Sequence, residues 1–162
     1  MKETYVSKDI VQMAVQAKAR GEKLYHALAK NSENYHVAKL FEKMAKDEAR
    51  HRAELEKWLE YLSGDRPEEA YPGERALYLK ALVDQNTYTC GMTMKKALEK
   101  TINEEDALQA GITFEKDFML FLHELKHHAA KDDQSTIDSL IEDEIGHIRE
   151  FFALKDSLQK GE

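Results

Sequence analysis

Cysteine, proline and basic charge are all in short supply. Cys90 is the single cysteine among 162 residues, which excludes an intrachain disulfide and any multi-cysteine metal cluster. With two prolines and seven glycines, the chain has few obligatory breaks, and this composition gives little support to strands. Twenty-four Lys and Arg stand against 31 Asp and Glu, for a net charge of −7. The basic residues are scattered, so no nucleic-acid partner is expected. The longest unbroken apolar run, Phe118-Met119-Leu120-Phe121-Leu122, is too short to span a bilayer, so no membrane partner is expected. The first ten residues contain no apolar stretch of the secretory type, and the expected location is cytoplasmic.

What is present is helical. Apolar residues make up 42% and charged residues 34%, a balance for a single soluble domain with a full core. Apolar side chains recur at three- and four-residue steps through four long stretches. The first runs from about Asp9 to Lys30, with Ile10, Ala14, Ala17, Gly21, Leu24 and Leu28 on one side. The second runs from about Tyr35 to Ser63, with Phe41, Met44, Leu55 and Leu59 inward. The third starts near Asn103, where Asn-Glu-Glu-Asp reads as an N-cap with acids in the first turn. The fourth starts near Asp133 and carries Ile137, Leu140, Ile141, Ile145, Ile148 and Phe151.

The polar turn Asn31-Ser32-Glu33-Asn34 implies an antiparallel hairpin. The expected organisation is one domain over 1–162: hairpin one at 9–63, a crossover at 64–102 and hairpin two at 103–160. Within the crossover, Asp65-Arg66-Pro67 and Tyr71-Pro72-Gly73 read as turns. Two short helices are expected there, around Arg75–Asp84 and Met94–Lys100.

The two hairpins repeat at chemically important positions. Residues 47–54 read Asp-Glu-Ala-Arg-His-Arg-Ala-Glu, and residues 143–150 read Asp-Glu-Ile-Gly-His-Ile-Arg-Glu. Glu144 and His147 follow Glu48 and His51 by the same 96 residues (144 − 48 and 147 − 51). Glu and His three residues apart share a helical face. Here that face is the apolar one, set between Met44 and Leu55 in one case and Leu140 and Phe151 in the other. Burying a carboxylate and an imidazole there is costly unless a charge compensates, and a cation ligated by both does so. Asp47, Asp143, Glu54 and Glu150 are expected on solvated flanks. The alternative for Glu48, His51, Glu144 and His147 is a buried ion-pair network that fixes the register without metal.

An inward Glu on two helices and Glu-x-x-His on two others is the pattern of the ferritin-like di-iron and di-manganese carboxylate bundles. Across nearly its whole length the chain resembles rubrerythrin-like members of that group that lack a rubredoxin domain. The resemblance implies an all-α, ferritin-like four-helix bundle. The stretch from Ala107 to Asp117 looks like the family's third helix, with Glu115 as its lone inward ligand. It further implies that Glu48 and Glu144 bridge two metals while His51 and His147 each cap one.

Helix one departs from that pattern. Glu115 precedes Glu144 by 29 residues, and the residue 30 before Glu48 is Lys18. Gly21 and Tyr25 follow in the places where relatives carry a Gly and an aromatic after their helix-one Glu. An ammonium in place of a carboxylate should disfavour the ion beside His51 and leave the one at Glu115, Glu144 and His147. Lys18 is expected to pair with Glu48. Glu22, one turn beyond, is the candidate substitute ligand.

The expected function is therefore ferritin-like metal binding, with a rubrerythrin-type non-haem iron oxidoreductase acting on peroxide or oxygen as the leading reading. The alternative is a non-catalytic mononuclear metal-binding or structural bundle. One or two iron ions are expected, manganese and zinc suiting the same donors. No residue is assigned a catalytic role. Electrons would come from a separate donor protein, and a homodimer is expected. Tyr25 is read as a packed aromatic with a hydroxyl partner, Cys90 as a buried small residue, and His123 with His127 as a solvated helix-end cluster.

Overall fold

A computed structural model describes residues 5–62, 70–71 and 73–162. Five long helices account for nearly all of them: α1 (Ser7–Asn31), α2 (Tyr35–Leu62), α3 (Gly73–Leu98), α4 (Glu104–His128) and α5 (Gln134–Lys160). A two-residue strand β1 (Tyr5–Val6) pairs antiparallel with β2 (Ala70–Tyr71), Tyr5 opposite Tyr71. The bundle is all-α as expected, with hairpins α1–α2 and α4–α5 and with α3 lying against both α1 and α4. Among the described residues no helix is long and apolar enough to cross a membrane.

Side chains fix the helix ends. Asn34 Oδ1 accepts from the backbone N–H of His36 at 2.9 Å and Val37 at 3.1 Å, capping α2. Asn103 Oδ1 does the same for Asp106 N at 2.8 Å and starts α4. Glu104, in the first turn of α4, accepts from Ser32 Oγ at 2.6 Å and from the N–H groups of Glu33 and Asn34. The α1–α2 turn is thereby tied to the start of the second hairpin.

The crossover differs from expectation. In place of two short helices, α3 runs unbroken over 26 residues. Its middle, Asn86-Thr87-Tyr88-Thr89-Cys90-Gly91, is poor in intrinsic helix formers, but tertiary burial overrides propensity. Leu79, Val83, Asn86, Cys90, Thr93 and Ala97 form a continuous buried seam through it. Thr87 and Thr93 each donate a hydroxyl to the carbonyl four residues back, at 2.9 Å. The expected turn at Asp65-Arg66-Pro67 lies outside the described residues, as does Pro72.

The core has two apolar clusters. One gathers Ile10, Ala14, Leu55, Trp58, Phe121, Leu122 and Leu140. The other gathers Leu24, Tyr25, Phe41, Met44, Phe114 and Phe151. In sequence, Lys18, Glu48 and Glu144 fall between residues of the two clusters, so a charged layer is sandwiched in the middle of the bundle. Ile145, expected on the inward stripe, is 38% exposed. It sits one residue past Glu144, about 100° around the helix.

Candidate metal centre

Each helix of the two hairpins sends charge into this layer. Lys18 comes from α1, Glu48 and His51 from α2, Glu115 from α4, Glu144 and His147 from α5, and all six are buried. One ligand atom each from Glu48, Glu115, Glu144 and His147 fall within 4.8 Å of one another. His51 lies outside that quartet but beside it, with Nδ1 3.4 Å from Glu144 and 3.7 Å from Glu48. The five candidate ligands are thus brought to one place from three helices, with Lys18 entering from the fourth.

Lys18 stands where sequence reasoning put it, and it does more than pair with Glu48. Its Nζ donates to Glu48 Oε1 at 2.9 Å and Glu144 Oε1 at 2.5 Å, and lies 3.8 Å from Glu115 Oε2. It also sits 3.9 Å from the centre of the Phe118 ring. One ammonium therefore joins the two carboxylates that the family resemblance makes bridging ligands. Burial alone works against a cation here, but Glu144, Glu48 and Glu115 outweigh it and hold the Lys18 proton well above the usual lysine range.

The remaining charges arrange themselves around that ammonium. Burial raises the Glu115 carboxyl, and repulsion from Glu144 and Glu48 pushes it further above the ordinary carboxylate range. Burial acts the same way on Glu144, but Lys18 and the surrounding donors reverse it and hold Glu144 well below that range. Burial opposes charge on His51, yet Glu144 and Glu48 push it up to about 9. For His147, Glu115 and Glu144 overcome burial and push it up to about 10. Positive charge is therefore favoured on Lys18 and both imidazoles, while the Glu115 and Glu144 carboxyls are driven in opposite directions.

Two residues that sequence reasoning assigned to solvated flanks belong to this centre. Asp143 Oδ2 lies 3.0 Å from His51 Nε2, and Asp47 Oδ2 lies 3.0 Å from His147 Nε2. Each hairpin's Asp supports the other hairpin's His. With Nε2 directed at an Asp, both Nδ1 atoms face the central carboxylates, and the two rings stack with centroids 5.5 Å apart. The signal was available: an Asp precedes each Glu, and 143 − 47 gives the same 96-residue offset. Burial of a neighbour's imidazole, however, is not visible along one helix. Glu54 and Glu150 are surface residues paired with Arg50 and Lys43.

Tyr25 is packed among Phe41, Phe114 and Phe151, and its hydroxyl donates to Glu115 Oε1 at 2.5 Å. Glu22, the candidate substitute ligand, pairs with Arg52 at 2.7 Å. Gly21 stands between it and the axis, in close contact with the centre: a Cβ on Gly21 would lie 2.5 Å from Glu48 Oε2. His123 and His127 are exposed on α4, and Cys90 is buried against α1, its thiol 3.8 Å from Arg20 O.

The buried Glu and His donors are compatible with a metal ion. His147 Nδ1, Glu115 Oε2 and Glu144 Oε2, and equally His51 Nδ1 and Glu48 Oε2, are buried without a hydrogen-bond partner, so donors of suitable type converge unsatisfied. The Lys18 ammonium lies among the same carboxylates, bonded to Glu48 and Glu144. No match was found among curated proteins or among solved structures. The Rubrerythrin family model matches residues 9–155, which carry all six residues of the charged layer, and the chain belongs to that family.

Proposed function

We propose that the chain is a rubrerythrin-type metal oxidoreductase with an asymmetric centre. One transition-metal ion is held by Glu115, Glu144 and His147, and the other half is taken by the Lys18 ammonium. The observation that supports this reading is the double engagement of Lys18, 2.9 Å from Glu48 and 2.5 Å from Glu144. A fixed positive charge there repels a second divalent ion and removes the need for it. Iron in the remaining half would supply the one-electron chemistry that reduces peroxide or oxygen; manganese and zinc suit the same donors.

The protein's own contributions follow from the geometry. Asp47 orients His147 so that Nδ1 faces the ligand position. Tyr25 holds Glu115 through its hydroxyl and keeps a proton there, burial and then Glu115 raising it well above the usual phenol range. The Phe41, Phe114 and Phe151 rings close one side against water. A single cysteine, Cys90, excludes a multi-cysteine iron site within these 162 residues, and a separate donor protein is proposed to supply the reducing equivalents.

The same lysine also favours a second reading, a mononuclear metal protein without redox turnover. Protein purified without a metal-binding tag, loaded with Fe²⁺ and assayed for metal content and peroxide consumption, separates the two. The oxidoreductase reading expects about one iron per chain and peroxide consumption that His147→Ala abolishes. The second expects one ion and no consumption until Lys18→Glu raises the content to two. An unmoved thermal midpoint with Fe²⁺, Mn²⁺ and Zn²⁺ sinks both, because a ligand of the folded state must raise it.

A further inference from the structure

The internal repeat breaks at one position beside the centre. Residues 47–54 and 143–150 correspond at an offset of 96, so Arg50 on α2 has Gly146 on α5 as its counterpart (146 − 50). Each stands immediately before one of the two histidines. Arg50 covers its own: Nη2 lies 3.2 Å from Asp143 Oδ2 and 3.4 Å from His51 Nε2, which themselves meet at 3.0 Å. The corresponding pair, Asp47 Oδ2 and His147 Nε2 at 3.0 Å, receives no side chain from Gly146. Arg50, on Asp47's own helix, lies 3.7 Å from the other oxygen, Oδ1.

Open space marks the position. Among the described residues nothing lies within 4 Å of where a Cβ on Gly146 would stand. Packing imposes Gly21 and Gly111, where a Cβ would lie 2.5 Å from Glu48 Oε2 and 2.7 Å from the Phe151 ring. It does not impose Gly146, and a helix interior disfavours glycine. Asp143 and Glu150, three residues before and four after, share its face of α5. Both bridge to α2, Asp143 to Arg50 and Glu150 to Lys43. Gly146 therefore sits half-buried in a gap between two cross-helix bridges. Exposure follows the same asymmetry, the His51 side chain being 0% exposed and that of His147 5%.

We infer that Gly146 is the port of the centre. Small solutes, a hydrated divalent ion and uncharged molecules the size of water or peroxide, reach His147 through the gap that the missing side chain leaves between α2 and α5. The Arg50 guanidinium closes the counterpart route to His51. The passage of an ion rests on the reading of His147 as a ligand; the passage of water does not.

Two measurements test the port, and one needs no metal. In chelator-treated protein, exchange of the imidazole C2 hydrogens in heavy water, followed by mass spectrometry of peptides, reads access to each histidine. Gly146→Leu slows exchange at His147 and leaves His51 unchanged, while Arg50→Gly speeds exchange at His51 and leaves His147 unchanged. In the second, stopped-flow loading with Mn²⁺ and its extraction by a chelator are both slowed roughly tenfold or more by Gly146→Leu, because a side chain that must move aside adds its own barrier. The two rates fall by the same factor, so affinity is unmoved, and Gly146→Ala changes neither. Circular dichroism and the thermal midpoint follow the fold, and the midpoint of Gly146→Leu does not fall, since leucine is the better helix former.

Exchange at His147 indifferent to Gly146→Leu, or Mn²⁺ loading and extraction at the wild-type rate, overturns the port and leaves the metal reading intact. Slowed exchange at His147 with no Mn²⁺ bound keeps the port for water and removes the metal reading. A lowered midpoint, or a loss of affinity without slower loading, overturns the port as well, since residue 146 would then shape the packing or the ligation and not the way in.

Discussion

Asp47 on α2 and His147 on α5 meet at 3.0 Å across the bundle, and 96 residues along the repeat Asp143 and His51 meet at the same distance. A carboxylate behind each imidazole fixes which nitrogen faces inward. If His147 is a ligand, Asp47→Asn weakens metal affinity about 10–100-fold. Asp143→Asn has less effect, because its histidine lies on the Lys18 side. A competition titration against a chelator of known affinity measures both.

Among the described residues Lys18 makes the shortest ion pairs to Glu48 and Glu144, closer than the His51 and His147 imidazoles. Lys18→Met removes the closest positive charge from those carboxylates, and loss of one partner from a buried ionic cluster costs about 3–5 kcal/mol. Urea denaturation of chelator-treated protein should show that loss. Added Fe²⁺ or Mn²⁺ should recover most of it, because the vacated position then admits a cation. A loss that divalent metal leaves unchanged would argue that the centre has no affinity for it.

Raised histidine pKa values set the sign of the pH dependence. His51 at about 9 and His147 at about 10 lie above the unfolded value of 6.5. Their imidazolium–carboxylate contacts therefore stabilise the chelated protein fully below about pH 6.5. That contribution declines as pH rises and is lost once pH passes about 9–10. Metal affinity runs the other way, since binding must displace the Nδ1 proton of His147. Midpoints at pH 7 and pH 10.5, with and without metal, should move in opposite directions.

Gly21 has no space for a side chain. Its Cβ would lie 2.5 Å from Glu48 Oε2 and 2.7 Å from the Phe114 ring. Although alanine is the better helix former, Gly21→Ala should destabilise by about 1–3 kcal/mol through overpacking. It should also lower metal content by displacing Glu48. A neutral or stabilising result would mean that Glu48 moves freely.

Lys100 ends α3 in the left-handed region at φ 55. Its N–H bonds to Ala97 O, and that of Thr101 to Lys96 O, the double bond of a glycine-type helix end. Replacing the exposed lysine with glycine removes a Cβ from that conformation. Lys100→Gly should stabilise the protein by about 1 kcal/mol in chemical denaturation.

The four main helices were legible because each carries its own periodicity, and their ends because Asn34 and Asn103 are local caps. The paired Glu-x-x-His motif was legible for the same reason: it lies on single helices and recurs. Helix α3 was misread as two pieces, since Thr87, Thr89 and Gly91 argue locally against the continuity that α1 and α4 impose. Asp47 and Asp143 do lie on partly exposed flanks, and their contacts with His147 and His51 were not legible because each has its partner on another helix.

The chain alone determined which groups enter the bundle interior, Lys18 in place of a carboxylate included, because burial follows from a residue's place in the apolar period of its helix. Only the folded arrangement decided that Lys18 joins Glu48 to Glu144, that the aspartates exchange histidines, and that Glu22 turns to Arg52. Periodicity specifies the face on which a side chain lies; which neighbour it meets depends on the offset between helices, a quantity no single helix contains.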